Sequence, residues 1–120
     1  SIGMCTVVRG AFSFSENPTG DVMEAVTGHT FTPKLMEIAQ RIYSMERVIL
    51  NREGIRRKDD LMPDRITKEA IASGSTKGRT LTAEQYAFML DDYYTLRGWD
   101  ADGVVTEETK KRWGLDALLK

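Results

Sequence analysis

From Leu35 onward, apolar residues return every three to four positions, at Leu35, Ile38, Ile42, Met45 and Ile49. That spacing puts them on one side of an α-helix and predicts a buried stripe. Thr32 supplies an N-cap and Pro33 a first-turn residue whose missing N–H costs nothing there. Gly54 is a natural left-handed stop, so the helix is expected over about 33–53. A second stripe, Tyr86, Met89, Leu90, Tyr93 and Leu96, follows a capping box of Thr82 and Gln85 and closes at Gly98. On that reading Asp91 and Asp92 lie on the wet face. Shorter helices are expected at "DVMEAVTG", with Asp21 near its start and Gly28 at its end, and from the Thr106 cap to Trp113, stopped by Gly114. "IRRKDDLMPDR" reads as a charged loop with a turn of helix, and "ASGSTKGRT" (72–80) as a flexible connector. No segment alternates with period two. The expected class is all-α: an irregular helical domain with one long central helix, preceded by an extended N-terminal loop over residues 1–14.

Composition narrows this only modestly. The 120 residues are one domain's worth of chain, with 41% apolar and 29% charged side chains. A net charge of -1 gives no strong field, which argues against nucleic acid as a partner. No apolar run approaches the ~20 residues of a membrane span, so no membrane partner is expected. A single cysteine, Cys5, excludes an internal disulfide and fits a reducing, cytoplasmic setting.

The candidate chemistry is sparse. Arg52, Glu53, Arg56, Arg57, Lys58, Asp59, Asp60, Asp64 and Arg65 mix both signs within fourteen positions. Such a mixture neutralises itself, and the expected role is a salt-bridge network fastening the end of the long helix to the rest of a larger protein. "GWDADGVVTEET" superficially has the form of an EF-hand loop. Placing Asp102 and Gly103 at loop positions five and six puts Gly98 at one and Thr109 at twelve, where ligands are required. Asp100 and Asp102 are therefore expected to make turn hydrogen bonds. His29 has no partner at ligand spacing and reads as a turn residue. The six methionines read as core packing. Cys5 alone is compatible with an inert buried thiol or with one ligand of a site completed elsewhere.

Three ordered stretches add a resemblance. "RIYSMERVILNREGIRRKDDLMPDR" and "MLDDYYTLRGWDADG", with the closing "WGLDAL", resemble the C-terminal domain of the aldehyde ferredoxin oxidoreductase family. The matching residues are Arg41, Ile42, Glu46 and Arg47; Arg52, Glu53, Gly54, Arg57, Asp59, Asp60, Pro63 and Arg65; and Tyr93, Tyr94, Arg97, Gly98, Trp99, Asp100 and Gly103. The opening "SIGMC" is similar to that family's Asp-x-x-Gly-Leu-Cys loop, with Met4 at the Leu position and the Asp falling immediately before Ser1. Leu50 stands where the family often has Asn, and Asn51 follows it.

The resemblance implies a piece of a larger enzyme. Residues 1–14 would end a pterin- and cluster-binding loop, and 15–120 would form the helical C-terminal domain. The parent would oxidise aldehydes to carboxylic acids with ferredoxin as electron acceptor. Its cofactors would be a tungsten (or molybdenum) bis-pterin and a [4Fe–4S] cluster, and its own remaining domains would be this chain's partners. Cys5 would be the fourth cluster ligand, while Gly3 and Met4 would lie beside the pterin. No catalytic residue is expected here, and the chain alone would be inactive. Its apolar faces, uncovered, would self-associate. The alternative is a stand-alone helical interaction module or a degenerate calcium-binding module.

Overall fold

The computed structural model describes residues 18–117. The expected N-terminal loop, with Gly3, Met4 and Cys5, lies outside the described residues. Five α-helices follow one another: α1 (Pro18–Thr27), α2 (Leu35–Arg52), α3 (Asp64–Lys68), α4 (Ala83–Arg97) and α5 (Glu107–Arg112). Thr32–Lys34 and Arg57–Asp60 form 3-10 turns. Among the described residues the one extended pairing is an isolated bridge between Trp99 and Val105. The fold is all-α, with α2, 18 residues long, as its longest helix. Among the described residues no helix is long and apolar enough to cross a membrane. The chain divides into two compact units, residues 1–40 and 41–120.

In the first unit α1 begins at Pro18, three residues before Asp21, because Pro is pre-organised for a first helical turn. It ends at Gly28, whose φ is +72°. Gly20 is buried, and a Cβ there would collide with the Thr32 side chain and press on Leu35. That close approach corrects the expected cap. Phe31, not Thr32, holds the N-cap position of the 3-10 turn, without a side-chain bond. The Thr32 hydroxyl is buried against α1 with no hydrogen-bond partner among the described residues. His29 is the expected turn residue: its N–H donates to Thr27 Oγ1 (3.2 Å) and its ring meets Phe31 edge-on.

In the second unit the caps of α4 and α5 form as the sequence predicts. Gln85 N–H donates to Thr82 Oγ1 (3.2 Å) and Thr82 N–H to Gln85 Oε1 (3.0 Å). Gly98 ends α4 in the left-handed region. Thr106 caps α5, accepting from Thr109 N–H (3.3 Å). The two helices are also tied together, since the hydroxyls of Thr106 and Thr109 both donate to the Gly98 carbonyl (2.9 and 2.7 Å). Val48, Leu90, Tyr94, Trp99, Val105 and Leu115 form the core, with Met45, Tyr86 and Trp113 packed against it.

Both predicted stripes need correction. On α2 the buried residues are Ser44, Arg47 and Val48, while Ile38 and Ile49 are exposed. On α4 the inward row is Tyr86, Leu90 and Tyr94, and Met89, Tyr93 and Leu96 face outward. The physical reason is the same in each case. A buried ion pair lies between the helices, and the residues that reach it turn inward. The methionines are corrected too: Met36, Met62 and Met89 are exposed, and Met45 packs on the core. The 72–80 connector is exposed but pinned at its ends. Ile71 N–H donates to Arg79 O, and Gly78 N–H to Ile71 O, both at 2.9 Å.

Candidate functional site

Arg47 sits on the inner face of α2, and its side chain is 6% exposed. A guanidinium out of water needs all its donors satisfied. Nη1 and Nη2 fork onto the Asp60 carboxylate at 2.8 and 2.5 Å, and Nε donates to the Gly103 carbonyl at 2.7 Å. The flat face of the group lies 4.9 Å from the Trp99 ring centre and 5.8 Å from that of Tyr94. Tyr94 donates its hydroxyl proton to the second Asp60 oxygen in a very short hydrogen bond. Tyr86, two turns earlier on α4, donates to the Asp60 backbone carbonyl at 2.6 Å.

These contacts set the titration of the cluster. Burial alone would raise the Asp60 carboxyl, but the hydrogen bonds from Arg47 and Tyr94, with the Arg47 charge, outweigh it and hold the group below the usual range. Burial, the bond to Asp60 and that carboxylate's charge push Tyr94 up to about 12. The bond to Asp60, working against burial, raises Arg47 further. Asp60 is thus a poor proton acceptor and Tyr94 a poor acid near neutrality. The cluster holds its charges fixed, and its role is to position backbone.

What it positions is the 99–105 turn. Asn51 at the end of α2 donates to the carbonyls of Ile55 and Gly103 (both 3.1 Å) and accepts from Val105 N–H (3.2 Å). Arg57 N–H donates to Asp102 O at 2.9 Å, and its side chain pairs with Asp91 at 2.5 Å. Gly103 has φ +72°, and a Cβ there would strike Arg47 Nη2 and Tyr94 Oη. The turn can close on the cluster only with glycine at this place. Asp100 Oδ1 accepts from the N–H groups of Asp102 and Val104, both at 2.9 Å, which is the turn role expected of it. Asp102 takes part through its backbone.

The charged loop after α2 behaves partly as expected. Arg57 and Asp60 fasten the helix end, but to α4 and the 99–105 turn of the same unit. Arg52, Glu53 and Lys58 stay exposed. The decisive partner, Arg47, lies outside that charged run, thirteen residues before Asp60. Asn51 was also missed. Its signal is a single Asn in the last helical turn, just ahead of Glu53 and Gly54. Among the described residues no group of three or more His, Cys, Asp or Glu side chains could hold a metal ion. Gly3, Met4 and Cys5 lie outside the described residues.

The motif residues that are far apart in sequence converge on this cluster: Arg47, Arg57, Asp60, Tyr94, Trp99 and Gly103. Arg41 adds a clasp from α2 to the chain end, donating to Trp113 O at 2.9 Å. The family model described as "Aldehyde ferredoxin oxidoreductase, domains 2 & 3" matches residues 1–115. The tungsten-containing aldehyde ferredoxin oxidoreductase of Pyrococcus abyssi is 31% identical over 119 residues, covering 98% of this chain and 19% of that protein. The protein of the same description from Pyrococcus horikoshii matches equally, at 31% and the same coverage. That of Thermococcus kodakarensis is 29% identical over 119 residues. The chain thus spans 19% of the length of these relatives.

Proposed function

The chain belongs to the aldehyde ferredoxin oxidoreductase family, and from that premise we propose that it forms the C-terminal part of a cytoplasmic tungsten- or molybdenum-pterin enzyme. The whole enzyme takes an aldehyde and water to a carboxylic acid, two protons and two electrons, and ferredoxin accepts the electrons. The observation that carries the reading is the family match over residues 1–115, which includes the one cysteine of the chain.

The donor set fits a contributing role. A [4Fe–4S] cluster needs about four thiolates, and this chain has one cysteine. Cys5 is assigned as one cluster ligand, the others coming from the rest of the enzyme. Gly3, with no Cβ, would admit close approach of the pterin, and Met4 would lie on the same pterin-side loop. When bound, the metal pterin supplies the two-electron oxidation chemistry. This chain's own residues do something simpler. The Arg47–Asp60–Tyr94 cluster fixes α2, α4 and the 99–105 turn as one body, which gives the enzyme a firm wall. The chain by itself has no catalytic side chain assigned and is inactive.

The test is to express the whole gene that encodes this chain and measure tungsten, molybdenum and iron together with aldehyde-dependent ferredoxin reduction. Metal and activity are expected. Cys5→Ser should lower the iron content by about one cluster, or roughly four irons, with the protein still folded. A folded, metal-free full-length protein would overturn the reading.

A further inference from the structure

A cleft of about 340 Å³ opens above the buried ion pair, between α2 and α4. Tyr43 and Leu50 of α2 and Tyr86, Leu90 and Tyr93 of α4 line it. Its walls are apolar and aromatic, as in grooves that accept a side chain or a short helix. At its rim Arg97 stacks on Tyr43 and Tyr93 at once, its guanidinium carbon 4.9 and 5.0 Å from the two ring centres. The two rings belong to different helices, so the stacking holds the rim in one shape. It also holds the guanidinium. Yet among the described residues no carboxylate lies within ion-pair distance of Arg97, whereas Arg47 and Arg57 each have one. A pre-organised arginine whose edge donors have no partner among the described residues is built to take a carboxylate in a forked geometry.

We propose that this cleft is a docking site for one segment of the longer polypeptide: an apolar stretch that carries an Asp or Glu placed to pair with Arg97. The inference rests on the reading that the chain is part of a larger enzyme. Two observations commit it to that occupant. The chain spans 19% of its relatives' length, so most of such an enzyme lies outside these residues. And the cleft asks for two things together, apolar surface for its walls and negative charge for its rim. In a two-fold symmetric pair centred on this cleft, a second copy would bring its own Arg97 to the same rim, setting like charges side by side.

The test uses the full-length protein with a photo-crosslinking amino acid in place of Tyr43 or, separately, of Met89, an exposed α4 residue that does not line the cleft. From position 43 the expected product is an intramolecular crosslink to one peptide outside residues 1–120 that contains an acidic residue. From position 89 that peptide should not appear. Arg97→Gln should cut the yield from position 43 by about tenfold, the effect of losing one charge-assisted hydrogen bond, and Arg97→Lys should restore part of it. Crosslinks between two copies, or none from position 43 in a folded protein, would overturn the proposal. So would an unchanged yield in Arg97→Gln. None of these readouts needs bound metal or activity, so a failure of the oxidoreductase reading would be seen separately, in the metal analysis.

Discussion

At the scale of single residues, the Arg47–Asp60–Tyr94 cluster sets how the fold responds to acid and base. Asp60 is held below the usual carboxylate range, so its contribution is complete above the unfolded pKa of about 4 and is lost as pH falls further. Tyr94 is raised to about 12. Its contribution is complete below the unfolded value of about 10 and is lost as pH climbs from there towards 12. Denaturant unfolding across pH should therefore show a plateau bounded by these two groups. Asp60→Asn removes that group's share of the acid-side slope but leaves Arg47 buried without its partner, at a cost of about 3–5 kcal/mol near neutral pH. A variant as stable as the parent would show that the pair is not the anchor described.

Two glycines give a matched comparison. Gly103 and Gly114 both have positive φ, at +72° and +62°. A Cβ meets nothing within 4 Å at Gly114 but meets Arg47 and Tyr94 at Gly103. Gly114→Ala should cost about 1 kcal/mol for backbone strain. Gly103→Ala adds displacement of the ion pair and should cost at least ~3 kcal/mol. Equal losses in thermal or denaturant unfolding would contradict the packing around the 99–105 turn.

At the scale of elements, the caps of α4 and α5 were legible in the sequence, while the Thr32 cap and the buried faces were not. Thr82, Gln85, Gly98 and Thr106 do locally what their residue types dictate, because a cap depends on bonds within a few residues. Which face is buried depends on partners far along the chain. Arg47 turns inward for Asp60 and for Gly103, 56 residues away, and no periodicity of α2 carries that information. α4 has apolar residues on two sides, so the pattern could not say that the Tyr86–Leu90–Tyr94 row faces in. The family motif did contain the answer in undecoded form, since Arg47, Asp60, Tyr94 and Gly103 all lie within it. The caps themselves differ in what they hold. Thr82→Ala removes a capping box and should cost about 1 kcal/mol. Thr106→Val removes a cap and also the hydroxyl bond that ties α5 to the end of α4 at Gly98. It should cost about 2 kcal/mol. If Thr106→Val proves the milder change, the tie between the helices contributes nothing.

At the scale of the molecule, the apolar residues that the stripes promised to the core are instead a surface. Leu96, Met89 and Tyr93 of the α4 stripe are exposed, Leu96 at 74%, and Phe88, outside the stripe, is 74% exposed on the same helix. Single exposed apolar side chains are ordinary, but several on the outer side of one helix mark an interface. The proposed function implies that other parts of a longer enzyme would cover that surface; in the 120-residue chain alone it would meet water. The isolated chain should therefore associate as its concentration rises, with light scattering reporting a mass above that of the monomer. The effect belongs to the surface and not to unfolding, and a double substitution separates the two. Phe88→Lys with Leu96→Lys places charge on the outer face of α4, away from the Tyr86–Leu90–Tyr94 row. Each exposed change should alter stability by no more than about 0.5 kcal/mol, while the association is largely abolished. A wild-type chain that stays monomeric at every concentration would show that these residues form no adhesive face. A double variant that still associates would place that face elsewhere on the molecule.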